Sequence, residues 1–599
     1  MNKDQRNEQS KETQAQFDGS SDAQDLGANG EPNSLSRRSF LGRAGASTAV
    51  AAAAGVGLPS LLLTVNSEAR GVANTADHDK VSRDDDEDDS SRRARAFRIR
   101  LKAAIAERNV PVPPQVDNGD ERLYPTRIGN YSKGFPHNSI GEVDPIAYDA
   151  LLTAVTSGEP EDFAKIPLGG TVKLADPQAG LAFTLEGTDS GQLTCPPAPR
   201  LSSRERASEM VENYWMTLAR DIPFSKYGSE SISSMAIVDL NKLSDFTGPE
   251  VNGQVTPGTL FRGTTPGELI GPYISQFLLQ PVGFGALNPL AQTYHTYATG
   301  VDYLTDVASF RDRQNGIPAP MQGLIPGGYI KNGRDLGAYV KVDTVGQANF
   351  IAALWLLANK ALYSMANGAP LKSGNPYYLT SASGNQAGGV NFGNQHILTL
   401  LNEVSIVALR ACFYQKWFVH RHVRPEEYGG LVHNVLTNAA DYPIHDELRH
   451  SQAVKAVFSK NGNYLLPAAY PEGCPQHPSY PEAHGSVAGA GVTVLKAFFD
   501  ESFVIPNPVK SDDGLLLVPY TDKDAGEITV GGELNKLANN IALGRDMAAV
   551  HWRSDGYQSL LLGEAVAISI LRDQLRTFNE PFEGFTFTKF DGKLEEIRP

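Results

Sequence analysis

The sequence has few cysteines and no excess of basic residues. Its 599 residues include three cysteines, Cys195, Cys412 and Cys474, and no CxxC pair. A structural zinc site is therefore a poor hypothesis, and at most one intrachain disulfide can form, with its pairing left open. The 53 Lys and Arg are outnumbered by 68 Asp and Glu, which gives a formal net charge of −15. Because nucleic-acid binders neutralise phosphates with basic side chains, we expect no nucleic-acid partner.

Strand-like alternation of apolar and polar residues is also scarce. The best candidate is Thr171–Leu174, whereas the 57 glycines and 38 prolines indicate many ordered loops. Apolar residues recur instead at helical spacing, which predicts a mainly α fold with long Gly/Pro-rich loops and few short strands. The segments with this spacing are 203–219, 346–366, 396–423, 486–500, 531–549 and 556–577. Cys412 falls inside one of these patterns and is expected to be a buried small hydrophobic residue.

The N-terminal segment 1–69 has the pattern of an export signal rather than of a folded domain. Its first 35 residues are polar, which predicts disorder. The twin arginines Arg37 and Arg38 precede an Ala/Gly-rich apolar run and the small-residue step that ends at Ala69. This order is typical of a twin-arginine export signal, so we expect a periplasmic or extracellular protein. A membrane anchor is the alternative, but the run is only weakly hydrophobic, so we expect no stable membrane insertion after cleavage.

An acidic linker over 70–95 is expected to follow the signal. The run Asp84–Asp89 is entirely acidic and precedes several arginines. A solvated linker is the favoured interpretation, with a calcium site or a tethering arm as alternatives. The remaining residues, 96–599, are expected to form one helical domain, with a loop-rich half to about residue 340 and an active-site half over 341–599.

Histidine is concentrated in the C-terminal half, where nine of the 12 lie between His396 and His551. Lys416 and Arg424 begin and end a basic segment of this region. On an ideal helix, eight residues place two side chains about 80° apart, so both cations can reach one oxyanion. Pro425 disfavours helical geometry at Arg424. Alone this pattern is weak evidence for an anion site, because basic residues at the end of a helix are commonly there to interact favourably with the helix dipole. Two further histidines, His420 and His422, are expected to be structural.

A second segment, His477–Ser486, enters a helix through two prolines. The first turn of a helix has free backbone N–H groups, here near Ala483 and His484, and such a turn binds anions. A histidine at that position can exchange protons with the bound group.

The third segment contains Arg545, His551 and Asp555. Arg545 and His551 are about 240° apart on an ideal helix, so they share a site only if the helix ends between them. Asp555 is four residues after His551, where its carboxylate can accept the Nδ1 proton and leave Nε2 free as a ligand or nucleophile.

The three segments in this order resemble the signature shared by the vanadium-dependent haloperoxidases and the type 2 phosphatidic acid phosphatase superfamily. The seven residues between Lys416 and Arg424, and the extra histidine His477, are similar to the algal bromoperoxidase branch. The fungal chloroperoxidase and the phosphatases usually have six intervening residues. Further segments that look like this family are Glu212–Met216, Arg220–Phe224 and Tyr329–Asp335.

The resemblance implies a helical fold with two four-helix bundles and one vanadate per subunit. His551 would bind the metal through Nε2, and His484 would be the catalytic acid and base. Lys416 would both bind the cofactor and polarise peroxide, and His477 would be a further catalytic residue. The remaining cofactor-binding positions would be Arg424, Arg545 and the backbone of Ala483. The implied substrates are hydrogen peroxide, a halide such as bromide or iodide, and small organic acceptors. A hypohalous acid would be the product and a homo-oligomer the assembly.

Two adjacent positions, Glu482 and Ala483, depart from the family pattern. Pro481-Glu482-Ala483-His484 replaces the usual Pro-Ser-Gly-His, so an ionised Glu482 beside the site would oppose vanadate binding. We expect Glu482 to turn away from the site or to bind a nearby cation. Two alternatives stay open. One is an acid phosphatase with His551 as nucleophile and His484 as leaving-group acid. The other is a non-catalytic exported oxyanion-binding protein.

Overall fold

The computed structural model describes residues 91–358, 368–378 and 385–599. The predicted export signal and most of the predicted acidic linker lie outside these residues, as does the end of the predicted helix 346–366. Residues Asp85–Pro599 form one compact unit.

The described residues are mainly helical, as predicted. They contain sixteen α-helices, which we number in chain order: α1 Arg92–Arg108, α2 Asp120–Leu123, α3 Pro145–Ser157, α4 Pro160–Phe163, α5 Arg204–Ala219, α6 Ser231–Leu240, α7 Val307–Gln314, α8 Gly333–Val342, α9 Gln347–Leu356, α10 Asn394–Tyr414, α11 Pro425–Leu436, α12 Asp446–Arg449, α13 Gln452–Asn461, α14 Ala483–Phe498, α15 Val530–Met547 and α16 Arg553–Leu575.

The strands are short and pair only as two-stranded antiparallel sheets among the described residues. The three pairs are β1 Tyr294–Thr296 with β2 Ile325–Gly328, β3 Val509–Lys510 with β4 Val518–Pro519, and β5 Phe585–Thr588 with β6 Leu594–Ile597. The strand prediction for Thr171–Leu174 is wrong. Val172 N–H donates to Gly316 and Ala175 N–H to Gln476, so the segment bonds to two separate loops and forms no ladder.

Four long helices, α10, α14, α15 and α16, pack together as a bundle with a shared apolar core. Two glycines let α14 and α16 approach closely. A Cβ on Gly489 would lie 2.4 Å from the Leu560 carbonyl oxygen, and one on Gly563 would lie 2.1 Å from that of Ser486. A second group of helices packs around α5, with α6, α12 and α13 as its neighbours. These groups hold the segments that carry the predicted site.

The helix that leads into the site begins at Asn394. Together with its last turn it is long and apolar enough, by length and composition, to cross a membrane, but 56% of its most apolar window is buried inside the protein. We assign it to the bundle core. Cys412 on this helix is fully buried, as predicted, and all three cysteines are free thiols.

Candidate functional site

Lys416 and Arg424 are brought together by a chain reversal rather than by one helix. Lys416 lies in a single π-helical turn, Gln415–His420, that follows α10. Arg421 then adopts a left-handed conformation with φ 40°, and Arg424 is extended with φ −83° and ψ 154° directly before α11. The predicted helical geometry is therefore wrong, because the helix ends between the two cations. Pro425 has the expected effect on Arg424.

Arg424 is fully buried, and all five of its N–H donors are occupied. Nη1 donates to the Val550 carbonyl at 2.6 Å and to His551 Nε2 at 2.9 Å. Nη2 donates to His477 Nδ1 at 2.9 Å and to the His477 carbonyl at 2.8 Å, and Nε donates to the same carbonyl at 2.9 Å. Arg424 thus connects the second and third sequence segments.

Lys416 is also fully buried. Its Nζ donates to the carbonyl oxygens of Pro478 and Ser479, each at 2.7 Å. An ammonium group has three donors, so one N–H is left for another acceptor. Burial lowers the pKa of Lys416 to about 7, because the cost of desolvating the ammonium outweighs the favourable charges of nearby groups such as Asp555.

The helix α14 begins in the site, as its prolines predict. Ala483 is its first residue, and His484 in the first turn keeps 32% of its side chain exposed. His484 Nε2 lies 3.1 Å from Asp343 Oδ1. Burial, followed by the charge of Arg545, lowers the pKa of His484 below its usual value.

The third segment spans the junction between two helices. Arg545 lies in the last turn of α15, which ends at Met547, and Ala549 turns the chain with φ 67°. The helix therefore ends between Arg545 and His551, as the predicted site requires. His551 Nδ1 lies 2.8 Å from Asp555 Oδ2. Burial, then the positive charges of Arg424 and Lys416, keep the pKa of His551 well below its usual value, so the imidazole is neutral.

Asp555 is fixed in turn by its other partners. Its Oδ2 accepts hydrogen bonds from the Trp552 backbone N–H at 3.2 Å and from the Ser479 hydroxyl. Burial raises the pKa of Asp555 to about 6. The carboxylate is therefore ionised at neutral pH and accepts the Nδ1 proton of His551.

Five of the predicted residues line one cavity of about 230 Å³: His477, Ala483, His484, Arg545 and His551. Arg424 lies behind this wall, where it contacts His477 and His551. Lys416 is not part of the wall, but its charge is near enough to lower the pKa of His551. The other five residues of the wall were not predicted: Lys341, Tyr470, Glu472, Gly473 and Pro475. Among them, Lys341 and Glu472 form an ion pair with each other. The Tyr470 ring lies under the Arg545 guanidinium at 5.9 Å and under Lys341 Nζ at 5.4 Å. No local spacing links them to the three segments, so sequence reasoning had no signal for them.

The cavity has the charge of an anion site. Across the part of the chain that the structure describes, neither Lys416, Arg424 nor Arg545 forms an ion pair with a carboxylate, and all three are buried. Arg545 Nη1 donates to the Val340 carbonyl at 2.8 Å, and its buried Nε has no hydrogen-bond partner. Buried cations need a counter-charge. Three such groups around a neutral imidazole fit a vanadate bound by one histidine.

The substitution at Glu482 does not place a carboxylate in the cavity. Glu482 is fully buried, is not part of the cavity wall and makes no ion pair with any residue described. Its Oε2 lies toward Gly556, 3.5 Å from the position a Cβ would take there. Burial raises its pKa to about 8. Both buried carboxyl oxygens of Glu482 lack a hydrogen-bond partner among the residues described, so the arrangement in which it binds a cation is not seen and its turn away from the site stays a prediction.

The other histidines of the motif region make structural contacts. His420 packs edge-on against Tyr480 with the ring centroids 4.7 Å apart, and His422 Nε2 lies 2.7 Å from Arg206 Nη2. His477 reaches the cavity, but its Nδ1 is engaged by Arg424 and its ring packs against Phe413 at 5.2 Å.

Comparison with known proteins gives the family. No protein-family model matches the chain. The chain is 35% identical over 604 residues to the vanadium-dependent bromoperoxidase of Corallina pilulifera, an alignment that covers 85% of this chain and 98% of that protein. It is 34% identical over 547 residues to that of Ascophyllum nodosum, covering 86% and 95%.

A solved structure agrees with these relatives. The second vanadate-dependent bromoperoxidase of Ascophyllum nodosum, a homohexamer, superposes with a TM-score of 0.79 at 31% identity, covering 88% of this chain and 94% of that one. The predicted fold, enzyme class and vanadate cofactor are confirmed, and the chain belongs to the vanadium-dependent bromoperoxidases.

Proposed function

We propose that His551 binds vanadium through Nε2 and that Lys416, Arg424, Arg545 and the Ala483 backbone N–H hold the vanadate oxygens. The enzyme then uses hydrogen peroxide to oxidise bromide or iodide to a hypohalous acid, which halogenates small organic acceptors. Vanadate supplies a Lewis-acidic centre of constant oxidation state that activates peroxide. The observation that carries this assignment is the set of three buried cations without a carboxylate partner around a neutral imidazole.

The proton on His551 is held at Nδ1 by Asp555. Because Nδ1 donates to the carboxylate at 2.8 Å, the lone pair of the neutral ring is at Nε2. Such a carboxylate–histidine pair fixes the tautomer and the orientation of a ligating ring and increases its basicity.

Arg424 exchanges one hydrogen bond when the site is filled. In the structure its Nη1 donates to the same Nε2 lone pair that would bind the metal. One lone pair serves one partner, so coordination at Nε2 frees an Arg424 N–H for an oxyanion oxygen. The other donors of Arg424 stay on carbonyl groups and on His477.

Lys416 has one N–H that is not used by the Pro478 and Ser479 carbonyls, and this N–H can donate to the bound oxyanion. An anion within reach favours the ammonium form and raises the lowered pKa of Lys416, so the residue is charged in the filled site. A charged donor aimed at peroxide withdraws electron density from the oxygen that halide attacks.

His484 is placed to exchange protons at Nδ1. Its Nε2 is held by Asp343, and the lowered pKa keeps the ring neutral, so it can take a proton from entering peroxide and return it to the leaving group. The contacts of His477 support a positioning role toward Arg424, and the catalytic role for His477 stays a prediction.

One experiment separates the candidate functions. The purified protein is loaded with orthovanadate and assayed for peroxide-dependent bromination of a phenol dye, in parallel with p-nitrophenyl phosphate hydrolysis without vanadate. Bromination without phosphatase activity supports the proposal, and phosphatase activity alone would refute it. Vanadate binding without either activity would favour a non-catalytic protein. His551→Ala should abolish vanadate binding, and full bromination by that variant would exclude His551 as the ligand.

We infer two further properties of the protein in its cellular setting. The first is assembly as a homo-oligomer, supported by the homohexamer of the structural relative. The second is twin-arginine export to the periplasm or the exterior, supported by the sequence around Arg37 and Arg38. Light scattering of the purified protein tests the first. Export of a fusion carrying residues 1–69, with Arg37→Lys and Arg38→Lys together as the control, tests the second.

A further inference from the structure

A second cavity lies at the junction of α15 and α16. Its volume is about 340 Å³, and its wall shares no residue with the wall of the anion cavity. The wall is formed by residues of α5, α15 and α16 and of the loops between α6 and α7. None of the residues proposed to bind vanadate or to move protons lies in it, so the proposed function leaves this cavity without a role.

One buried carboxyl group in this wall lacks a partner. Asp546, in the last turn of α15, is 1% exposed, and neither of its carboxyl oxygens has a hydrogen-bond partner among the residues described. A buried carboxyl group without donors is costly. A ligand that brings N–H groups and a positive charge into the cavity would satisfy both oxygens.

Other polar groups of the wall offer further acceptors. The Ser554 hydroxyl is buried and has no partner within the described residues. Asn539 uses both of its amide hydrogens, one on Thr265 Oγ1 at 2.5 Å and one on the Asn535 carbonyl at 2.9 Å. Its Oδ1 can therefore only accept. The wall suits a ligand that donates hydrogen bonds.

The charge of the wall favours a cation. The only basic residue that the structure places in the wall is Arg553, and it donates to both carboxylate oxygens of Glu212, from Nε at 2.7 Å and from Nη2 at 2.5 Å. Because Glu212 neutralises Arg553, the wall is left with the acidic groups of Asp546 and Glu205. A metal ion is the poorer fit, since no group of three His, Cys, Asp or Glu among the described residues could hold one.

We propose that this cavity is a binding site for a primary alkylammonium ion, with the ammonium group against the Asp546 carboxylate and the carbon chain along Ala542 and Leu543. An ammonium group has three N–H donors, which suits the three acceptors described above. Burial of the methylene groups stabilises the chain. An engineered cavity of about 150 Å³ holds benzene, so a volume of 340 Å³ has room for a short carbon chain. Binding at this site needs neither vanadate nor peroxide.

Binding should be linked to the release of a proton. Burial, followed by the charge of Glu482, raises the pKa of Asp546 well above its ordinary value. Glu212 and Asp555 act in the same direction, and Arg553 opposes them. The Asp546 carboxyl is therefore protonated without a ligand at neutral pH. A bound ammonium group favours the carboxylate, so the pKa of Asp546 falls and its proton is released.

n-Butylammonium is the probe for the first test. Calorimetry on the vanadate-loaded protein without peroxide should detect saturable binding of n-butylammonium, and none of 1-butanol, which has the same chain without the charge. Asp546→Asn keeps the shape of the side chain and should weaken binding about tenfold or more. Asp239→Asn changes a buried carboxylate that already accepts from Trp215 and Ala453, so it should bind as the wild type does. No saturable binding, or equal binding by Asp546→Asn and wild type, would overturn the proposal.

A surface variant tests the same site without changing the buried carboxyl group. Thr264 is an exposed residue of the wall, so Thr264→Lys adds a positive charge there and should weaken n-butylammonium binding several-fold. Thr521→Lys adds the same charge at an exposed threonine outside the wall and should leave binding unchanged. Equal weakening by the two variants would place the ion elsewhere and overturn the site.

The proton is the third readout. Calorimetry in buffers of different ionisation enthalpy should show proton release when wild type binds n-butylammonium, and none when Asp546→Asn does. Equal release by both proteins would overturn the pairing of the ammonium group with Asp546.

Discussion

Replacing Asp555 with asparagine should weaken vanadate binding while leaving the fold intact. Asparagine keeps the shape of the side chain but removes the charge that stabilises the Nδ1 proton of His551. It can also present its amide N–H₂ to the ring, which would favour the tautomer with the proton at Nε2. In that tautomer the metal-binding lone pair is lost.

The expected size follows from two independent estimates. A fully buried carboxylate that accepts an N–H from a neutral ring gives a charge-assisted hydrogen bond, worth about 1.5–3 kcal/mol. Removing the partner that orients a ligating histidine typically lowers metal affinity by about 10- to 100-fold, which corresponds to about 1.4–2.8 kcal/mol. The two ranges agree, so we expect the dissociation constant for vanadate to rise by about 10- to 100-fold.

Equilibrium dialysis of the metal-free protein against orthovanadate measures this change. Asp239→Asn is the matched control, because Asp239 is also a buried carboxylate that accepts from an aromatic N–H, that of Trp215 at 3.0 Å, and from a backbone N–H. It packs in the second helix group and should leave vanadate binding unchanged. A dissociation constant for Asp555→Asn within twofold of the wild type would refute the reasoning about the Nδ1 proton.

Three other predictions concern proton exchange. With a pKa of about 7, roughly one Lys416 in ten is charged at pH 8. Vanadate binding at that pH should therefore take up about 0.9 more proton in wild type than in Lys416→Met, as measured by calorimetry in buffers of different ionisation enthalpy. Equal proton uptake by the two proteins would contradict this assignment. His484→Ala should retain vanadate but lose about 10²- to 10⁴-fold in kcat for bromide oxidation, and a variant that kept its kcat would exclude His484 as acid and base. Because folding raises the pKa of Glu482 from 4.5 to about 8, the folded state holds the extra proton between these values and stability falls as pH rises through them. Between pH 5 and pH 9, the free energy of unfolding in urea should therefore fall less for Glu482→Gln than for wild type. An identical fall in both proteins would show that Glu482 is not the group responsible.

Much of the site could be predicted from sequence because its residues lie in short segments with strong local constraints. The i to i+4 spacing of His551 and Asp555 and the prolines before α14 each limit the backbone to few arrangements. The relation of Lys416 to Arg424 depended instead on a left-handed residue, Arg421, which no apolar periodicity indicates.

The remaining features depend on packing between distant segments. Asp343 meets His484 across 141 positions of sequence. The wall of the anion cavity likewise combines Lys341, Tyr470 and Arg545 from separate segments, so no single pattern encodes it. The orientation of Glu482 similarly depends on the helix packed against it, where Gly556 leaves room for a carboxyl group.

The hydrogen bond between Arg424 and His551 has a consequence for discrimination between oxyanions. Phosphate and vanadate have similar shapes and charges, so three cations alone would hold either one. A phosphate that forms no bond to the imidazole leaves Nε2 paired with Arg424, and it meets a guanidinium whose five donors are already in use. An oxyanion whose central atom takes the Nε2 lone pair releases one of those donors and then receives it. The hydrogen bond between Arg424 and His551 in the unfilled site would thus disfavour the binding of phosphate relative to vanadate.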